Sequence, residues 1–359
     1  MHKSEHLGVA LPSIAELQAS AIAFRVPLRT KFRGVTYREG LLLCGPRGVG
    51  EFAPFDDYPA AGAARWLLAA VDAAWGEPLP TLRTEVLVNA IVPDGDIATT
   101  VQIAREAAAG GCRTMKVKVA SPAGLGPHLQ DVTERDIPRL REVRAILDAE
   151  FGVGQGAIRI DANAAWTAAD AIRILPLLAE AAGGLEYVEQ PCQDLEDCAQ
   201  VRAETGVRIA IDEGLRLAQN FDTAVVDAVR EAADVVIVKP IPMGGAAEVI
   251  RIVQEIQRPV VVSGSMDTSI GLSYVLNTAC AIPGLALACG LGTGSLLAGD
   301  LTAKTLLPTR GTLSKADVAV DPEALRAHTI AEEDPRHSWW LQRLHDAATH
   351  IAALGSVGA

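Results

Sequence analysis

Residues 157–212 read AIRIDANAAWTAADAIRILPLLAEAAGGLEYVEQPCQDLEDCAQVRAETGVRIAID. Three short β-rich runs, 157–161, 185–189 and 208–212, alternate with two helical patterns, 168–182 and 195–204. Thr167, with Asp170 three positions on, is helix-start chemistry, and Gly183 and Gly206 stand where the two helices should stop. Each β run ends on an acid: Asp161, Glu189, then Asp212. Strand–helix–strand alternation of this kind implies parallel strands joined by crossover helices.

The pattern continues outward in both directions. Further strands are expected at 86–92, 114–119, 235–239, 260–263 and 285–289, and further helices at 221–232, 246–256 and 270–281. Eight strands with helices between most of them suggest a closed barrel rather than an open doubly wound sheet. The expected barrel spans residues 85–299. Ahead of it, 21–25 alternates, the apolar run 40–44 ends in the turn Gly45-Pro46-Arg47-Gly48, and 59–75 carries apolar residues at helical spacing. Residues 1–84 therefore read as a small α+β unit, which the tail from about 300 to 359 is expected to complete.

Composition narrows the function classes. The chain has 359 residues, 49% hydrophobic and 21% charged, with only 4% aromatic, so Val, Ile, Leu and Ala must pack the core. A net charge of −12 argues against nucleic acid but leaves room for an anionic small molecule in a local positive pocket. The six cysteines show no CxxC spacing and read as reduced core thiols. No apolar leader and no uninterrupted apolar run of about 18 residues is present, so a cytoplasmic protein with no membrane partner is expected. A monomer is the default assembly.

Ionisable residues at strand ends carry the chemistry, because the C-terminal ends of barrel strands converge on one mouth. Asp161, Glu189 and Asp212 lie about one βα unit apart. Three converging carboxylates repel one another unless a cation neutralises them, and oxygen-only ligands suit a hard ion such as Mg²⁺, with Mn²⁺ a substitute. Lys116 and Lys118 alternate along the second strand and share one face, expected to be the barrel interior, where neighbouring ammonium groups lower one another's pKa. Lys118 is thereby expected to serve as a base, with Lys239 arriving from the sixth strand on the opposite side. Ser263, Gly264 and Ser265 follow the seventh strand, and Gly290 and Gly292 follow the eighth, where barrel loops often hold anions. The basic stretch from Arg29 to Gly34, including Arg33, is read as a lid for an anionic substrate.

Lys116-Val117-Lys118, Asp161-Ala162-Asn163, Glu189-Gln190-Pro191, Asp212-Glu213 and Lys239, in that order, resemble the enolase superfamily in its muconate-lactonising subgroup. The resemblance implies a modified (β/α)7β barrel of the TIM type under an α+β capping domain. Within the superfamily, Pro27 to Gly34, Gly50 to Phe55, Gly184 to Cys192 and Ala288 to Leu291 are similar to o-succinylbenzoate synthases of the actinobacterial type. What this implies is a lyase of menaquinone biosynthesis that dehydrates 2-succinyl-6-hydroxy-2,4-cyclohexadiene-1-carboxylate, a dianionic carboxylate. Asp161, Glu189 and Asp212 would hold the metal, and Lys118 would take the proton and return it to the leaving hydroxyl. Lys239 would stay charged on the other face. Lys116, Asn163 and Glu213 would orient these groups, and the loops at Ser263–Ser265 and Gly290–Gly294 would hold the succinyl tail. The chain departs from that family's pattern at Gly264, at Gly214 and at Pro240. A racemase or epimerase of N-acylamino acids or dipeptides is the alternative, since both lysines would serve it. A muconate-type cycloisomerase and a non-catalytic metal-binding barrel are more remote.

Overall fold

The computed structural model describes residues 11–32, 34–120 and 132–357. The chain opens with helix α1 (Ile14–Ala19) and an antiparallel sheet of β1 (Ala21–Phe32), β2 (Val35–Gly45) and β3 (Gly48–Phe52). The stretch read as a lid is thus largely strand: Arg29 to Phe32 belong to β1, whose partner β2 returns after Gly34. Helix α2 (Ala60–Trp75) packs one apolar face, including Trp66, Leu67 and Val71, against this sheet.

The expected strand 86–92 splits in two. β4 (Glu85–Leu87) pairs antiparallel with a strand of the tail, and β5 (Ala90–Val92) enters the barrel. Asn89 sits at the break, fully buried, with its amide donating to the Ala90 carbonyl and its Oδ1 accepting from Arg159. There follow α3 (Ile97–Ala109), β6 (Thr114–Lys118), α4 (Ile137–Phe151), β7 (Ala157–Asp161), α5 (Ala168–Ala181), β8 (Tyr187–Glu189) and α6 (Leu195–Thr205). Next come β9 (Ile209–Ile211), the single turn α7 (Glu213–Arg216), α8 (Thr223–Ala232), β10 (Val235–Val238), α9 (Ala246–Ile256), β11 (Val260–Val262) and α10 (Ser269–Ala281). The tail adds β12 (Thr312–Ser314), α11 (Pro322–His328) and α12 (Pro335–Val357).

β5 to β11 form one sheet of seven strands in sequence order, all parallel. The eighth strand expected at 285–289 is not a full strand. Closure rests on two isolated parallel bridges, Val88 with Cys289 and Ser263 with Gly290. Their hydrogen bonds are well formed: Cys289 N–H to Leu87 at 2.7 Å on one side, Gly290 N–H to Val262 at 2.8 Å on the other. The Ala288 carbonyl is taken by the Arg159 guanidinium at 2.7 Å, which withdraws it from any ladder.

Alternation along strands β8 to β11 divides each of them between two cores. Side chains turned outward toward the helices belong to the main core. Tyr187, Ala210, Val235, Ile237 and Val261 form a separate apolar cluster, with Leu287 against it. These residues share the parity of Glu189, Asp212, Lys239 and Ser263 on their strands, so the apolar plug lies inside the barrel beneath the charged mouth. Helix α12 packs on α2, and Trp340 meets Phe52 edge-on at 6.2 Å. All six cysteines are free, but only Cys192, Cys198, Cys280 and Cys289 are core thiols; Cys44 is exposed and Cys112 half-buried, a correction that follows from their places near the end of β2 and in the link between α3 and β6. No helix among the described residues is long and apolar enough to cross a membrane.

Candidate active site

Neighbouring strand ends bring the predicted carboxylates to one level. Lys118 lies opposite Asp161 in the register, and Asp161 opposite Glu189. Asp212 follows β9, its N–H bonded to the side chain of Gln190 at 3.1 Å. Asp161, Glu189 and Asp212 are almost fully buried, which is tolerable only with positive partners. The Lys116 ammonium donates to Asp161 at 2.8 Å and to both Glu189 oxygens at 2.8 and 2.9 Å. Lys118 donates to Asp161 at 2.5 Å and to Asn163 Oδ1 at 2.6 Å. Lys239 donates to Asp212 at 2.6 Å. Lys118 and Lys239 reach the mouth from β6 and from the end of β10, four strands apart in the ring, and so from opposite sides.

The electrostatics are uneven. Burial alone would raise the pKa of Asp161 and Asp212, but Lys116 and Lys118 for the first, Lys239 and Arg216 for the second, hold both well below the usual carboxylate range. Glu189 goes the other way, to about 7: burial and repulsion from Asp161 outweigh Lys116. Lys116 itself is pushed up, since Asp161 and Glu189 overcome the cost of burial. That reverses the lowering expected from its neighbour Lys118, because two carboxylates lie at hydrogen-bond distance and dominate.

Among the described residues no group of three acidic, His or Cys side chains is disposed to hold a metal ion; each carboxylate is turned onto an ammonium or guanidinium group. The donor chemistry nevertheless fits a hard divalent cation. Three oxygen-only side chains stand on neighbouring strand ends, and Glu189 is left short of positive charge by its present partners.

Of the other predicted residues, Asn163 and Glu213 meet each other at 3.4 Å, and Asn163 also receives Lys118. Ser263 and Gly290 are brought together by their bridge, and Gly264 N–H donates to the Gly290 carbonyl at 3.1 Å. Ser265 N–H is held by the Asp267 carboxylate at 2.7 Å. Gly292 opens a short 3-10 turn, Thr293–Leu296. Arg33 lies outside the described residues. Backbone strain gathers at the same mouth: Ala120, Asn163, Ala164, Gln190 and Met266, each just after a barrel strand, all have positive φ.

Several residues escaped the sequence reading. Gln190 brackets the strand ends, accepting from Asp212 and Gly214 N–H and donating to the Cys192 carbonyl. Arg139, fully buried on α4, donates to the Lys118 carbonyl at 2.8 Å and to the Pro93 carbonyl at 2.5 Å, while its partner Asp136 accepts from Ala120 N–H. Arg216 pairs with Asp212, four residues before it. The i,i+3 and i,i+4 spacings of Asp136–Arg139 and Asp212–Arg216 were the available signal. For Gln190 no signal existed, since its role depends on a strand that only folding brings alongside.

A model of enolase C-terminal domain-like proteins matches residues 99–318, and a model of enolase N-terminal domain-like proteins matches 23–74. The chain is similar to an o-succinylbenzoate synthase of Mycobacterium ulcerans (strain Agy99), 39% identical over 319 residues, which is 89% of this chain and 90% of that protein. In structure it is similar to muconate lactonizing enzyme from Pseudomonas fluorescens complexed with muconolactone, with a TM-score of 0.71 at 17% identity over 87% and 98% of the two chains. It is also similar to N-succinyl Arg/Lys racemase from Bacillus cereus ATCC 14579, with a TM-score of 0.69 at 18% identity over 87% and 97%. At such identities the two structural likenesses speak for the fold alone.

Proposed function

The chain belongs to the enolase superfamily, and on that premise we propose that it is a metal-dependent o-succinylbenzoate synthase. It is an enzyme of the lyase class, as the extended likeness to o-succinylbenzoate synthases establishes. The superfamily generally works with a divalent metal, and here Asp161, Glu189 and Asp212 would hold it. When bound, the ion supplies positive charge where the substrate carboxylate becomes more negative. The observation that carries the reading is the pair of amines, Lys118 and Lys239, entering one carboxylate-lined mouth from opposite sides.

In the proposed reaction Lys118, as the free amine, removes the ring proton α to the carboxylate of 2-succinyl-6-hydroxy-2,4-cyclohexadiene-1-carboxylate. The electron pair moves toward the carboxylate, then returns to expel the ring hydroxyl and form the aromatic ring. Lys118, now an ammonium, gives its proton to that hydroxyl on the same face, and water leaves. Lys239 remains an ammonium on the other face, where its charge opposes the growing negative charge and faces the ring. Asn163 orients the Lys118 amine, and Lys116 keeps Asp161 ionised while donating to both oxygens of Glu189. Ser263, Gly264, Ser265, Gly290 and Gly292 are proposed to receive the succinyl tail, and Arg33, outside the described residues, to meet the substrate. The cap is proposed to comprise residues 1–84 and about 300–359, over a barrel of 85–299.

An absorbance assay on this substrate tests the reading. Turnover should appear with Mg²⁺, vanish after EDTA treatment and return on Mg²⁺ addition. Undiminished turnover by metal-free protein would overturn the carboxylate assignment, and no turnover under any condition the activity itself.

The same opposed amines favour a second reading, racemisation of N-acylamino acids, in which each lysine serves one face of the α-carbon. Incubation with N-succinyl amino acids in D₂O decides between them. As a synthase, the enzyme should exchange and racemise these compounds far more slowly than it dehydrates the cyclohexadiene.

A further inference from the structure

Lys118 and Lys239 are joined by a continuous arc of side chains that runs through Arg216. Lys239 donates to Asp212 Oδ2 at 2.6 Å. The other oxygen of that carboxylate, Oδ1, accepts from Arg216 Nε at 3.0 Å. Arg216 Nη2 reaches Glu213 Oε1 at 3.3 Å. That same oxygen accepts from the Asn163 amide at 3.4 Å, and Asn163 Oδ1 accepts from Lys118 at 2.6 Å. The guanidinium therefore touches the partner of Lys239 with one arm and, with another, the carboxylate that holds Asn163, the partner of Lys118.

Its remaining arm leaves the barrel. Arg216 Nη1 donates to the Tyr58 hydroxyl at 2.6 Å, and Tyr58 belongs to the segment between β3 and α2. That segment is pinned from the chain's far end: Arg343 of α12 donates to the carbonyls of Phe55 and Tyr58 at 2.7 and 2.8 Å. Tyr58 also stands edge-on to Trp66 of α2, with ring centroids 5.7 Å apart. Arg216 is 5% exposed, so its charge is held by this geometry and not by water. A guanidinium suits the task because it is planar and presents several donors at fixed angles, which an ammonium does not.

We infer that Arg216 is the positioning residue for both lysines, and that Tyr58 of the cap holds it in place. Arg216 touches neither lysine and, on the assignment above, no reacting atom. It fixes Asp212 and Glu213, which in turn orient Lys239 directly and Lys118 through Asn163. The cap thus contributes to the geometry of the amines without lending them a side chain. The inference rests on the proposed synthase reading for the roles of the lysines, but the arc itself does not depend on it.

The test compares wild type with Tyr58→Phe, which deletes one hydroxyl, and Arg216→Lys, which keeps the charge but cannot span three partners. Kinetics on the cyclohexadiene substrate give kcat and KM separately. Titration calorimetry with Mg²⁺ alone gives metal affinity without turnover, and a thermal melt gives the folded fraction. Arg216→Lys should lower kcat roughly 10- to 100-fold with KM within about threefold, and should weaken Mg²⁺ binding roughly tenfold. Tyr58→Phe should lower kcat about threefold to tenfold at an unchanged melting temperature. Wild-type kcat and Mg²⁺ affinity in both folded variants would overturn the inference, as would losses that follow only the folded fraction. If wild type does not turn over the substrate, the synthase reading fails, and the calorimetric comparison still decides whether Arg216 positions the carboxylates.

Discussion

A lysine can act as a base only if it can lose a proton where it stands, and Lys118 stands between an anion and an amide. Asp161 accepts from it at 2.5 Å, and Asn163 Oδ1, at 2.6 Å, fixes the direction of its amine. Replacement by alanine should remove the proton-transfer step and lower kcat by roughly 10²- to 10⁴-fold. The fold should survive, since the side chain is partly exposed and plugs no core. Circular dichroism and a melt would check the fold, and near-normal turnover by a folded Lys118→Ala protein would remove Lys118 from the mechanism. Gly264 is also explained at this scale. A Cβ there would lie 3.0 Å from Asp267 Oδ2, the oxygen that holds Ser265 N–H. Glycine at this position leaves room for that carboxylate to organise the loop after β11.

Among the elements, the strands bearing β-branched runs between capped helices were legible, because period and capping are local properties. Helix α9 falls at the expected residues, and α5 differs from its reading by one residue at the end. The strand 285–289 was not legible as it stands. Leu285-Ala286-Leu287-Ala288 reads as a strand, yet Arg159, from a strand far off in sequence, takes the Ala288 carbonyl. The carboxylates and lysines were legible because charge at the end of an apolar run is rare; Gln190 was not, because its partners are set by tertiary contact, and for Arg216 and Arg139 only the local acid was readable, not Tyr58 or the Lys118 carbonyl. The N-terminus of α10 shows the same dependence. Glu51 of β3 accepts from Thr268 N–H, the Thr268 hydroxyl and Gly271 N–H. Burial first, then the neighbouring Asp267, push its pKa up to about 7, against the opposing pull of Arg38. Between about 4.5, where an unfolded Glu titrates, and about 7, the folded state holds the extra proton. The stabilising effect is therefore complete at low pH and lost as pH rises through that window. Glu51→Gln carries no such titration. The melting temperature of wild type relative to Glu51→Gln should fall by roughly a few degrees from pH 5 to pH 8. A pH-independent difference would mean that Glu51 is ionised throughout.

At the scale of the whole molecule, the chain's two ends meet beside the barrel. Sheet β1–β3 and helix α2 come from the first part of the chain, whereas α12 comes from the last and packs on α2. Trp340 is the plug between them. It is 1% exposed, lies edge-on to Phe52 at 6.2 Å and directs its indole N–H at Glu39, which also binds Arg336 and Arg25. The Tyr58 segment is held from the same helix by Arg343, so the order of the cap reaches Arg216 through α12. Trp340→Ala should cost roughly 3–5 kcal/mol, the transfer of a large buried side chain plus the cavity it leaves. Urea unfolding would show this as a lower midpoint with an unchanged slope. Activity should fall with it in kcat more than in KM even below the unfolding transition, because a loosened α12 releases Tyr58 before it releases the barrel. An unchanged midpoint would mean that α12 is docked too loosely to hold the cap, and the route from the C-terminal helix to the two lysines would have no physical basis.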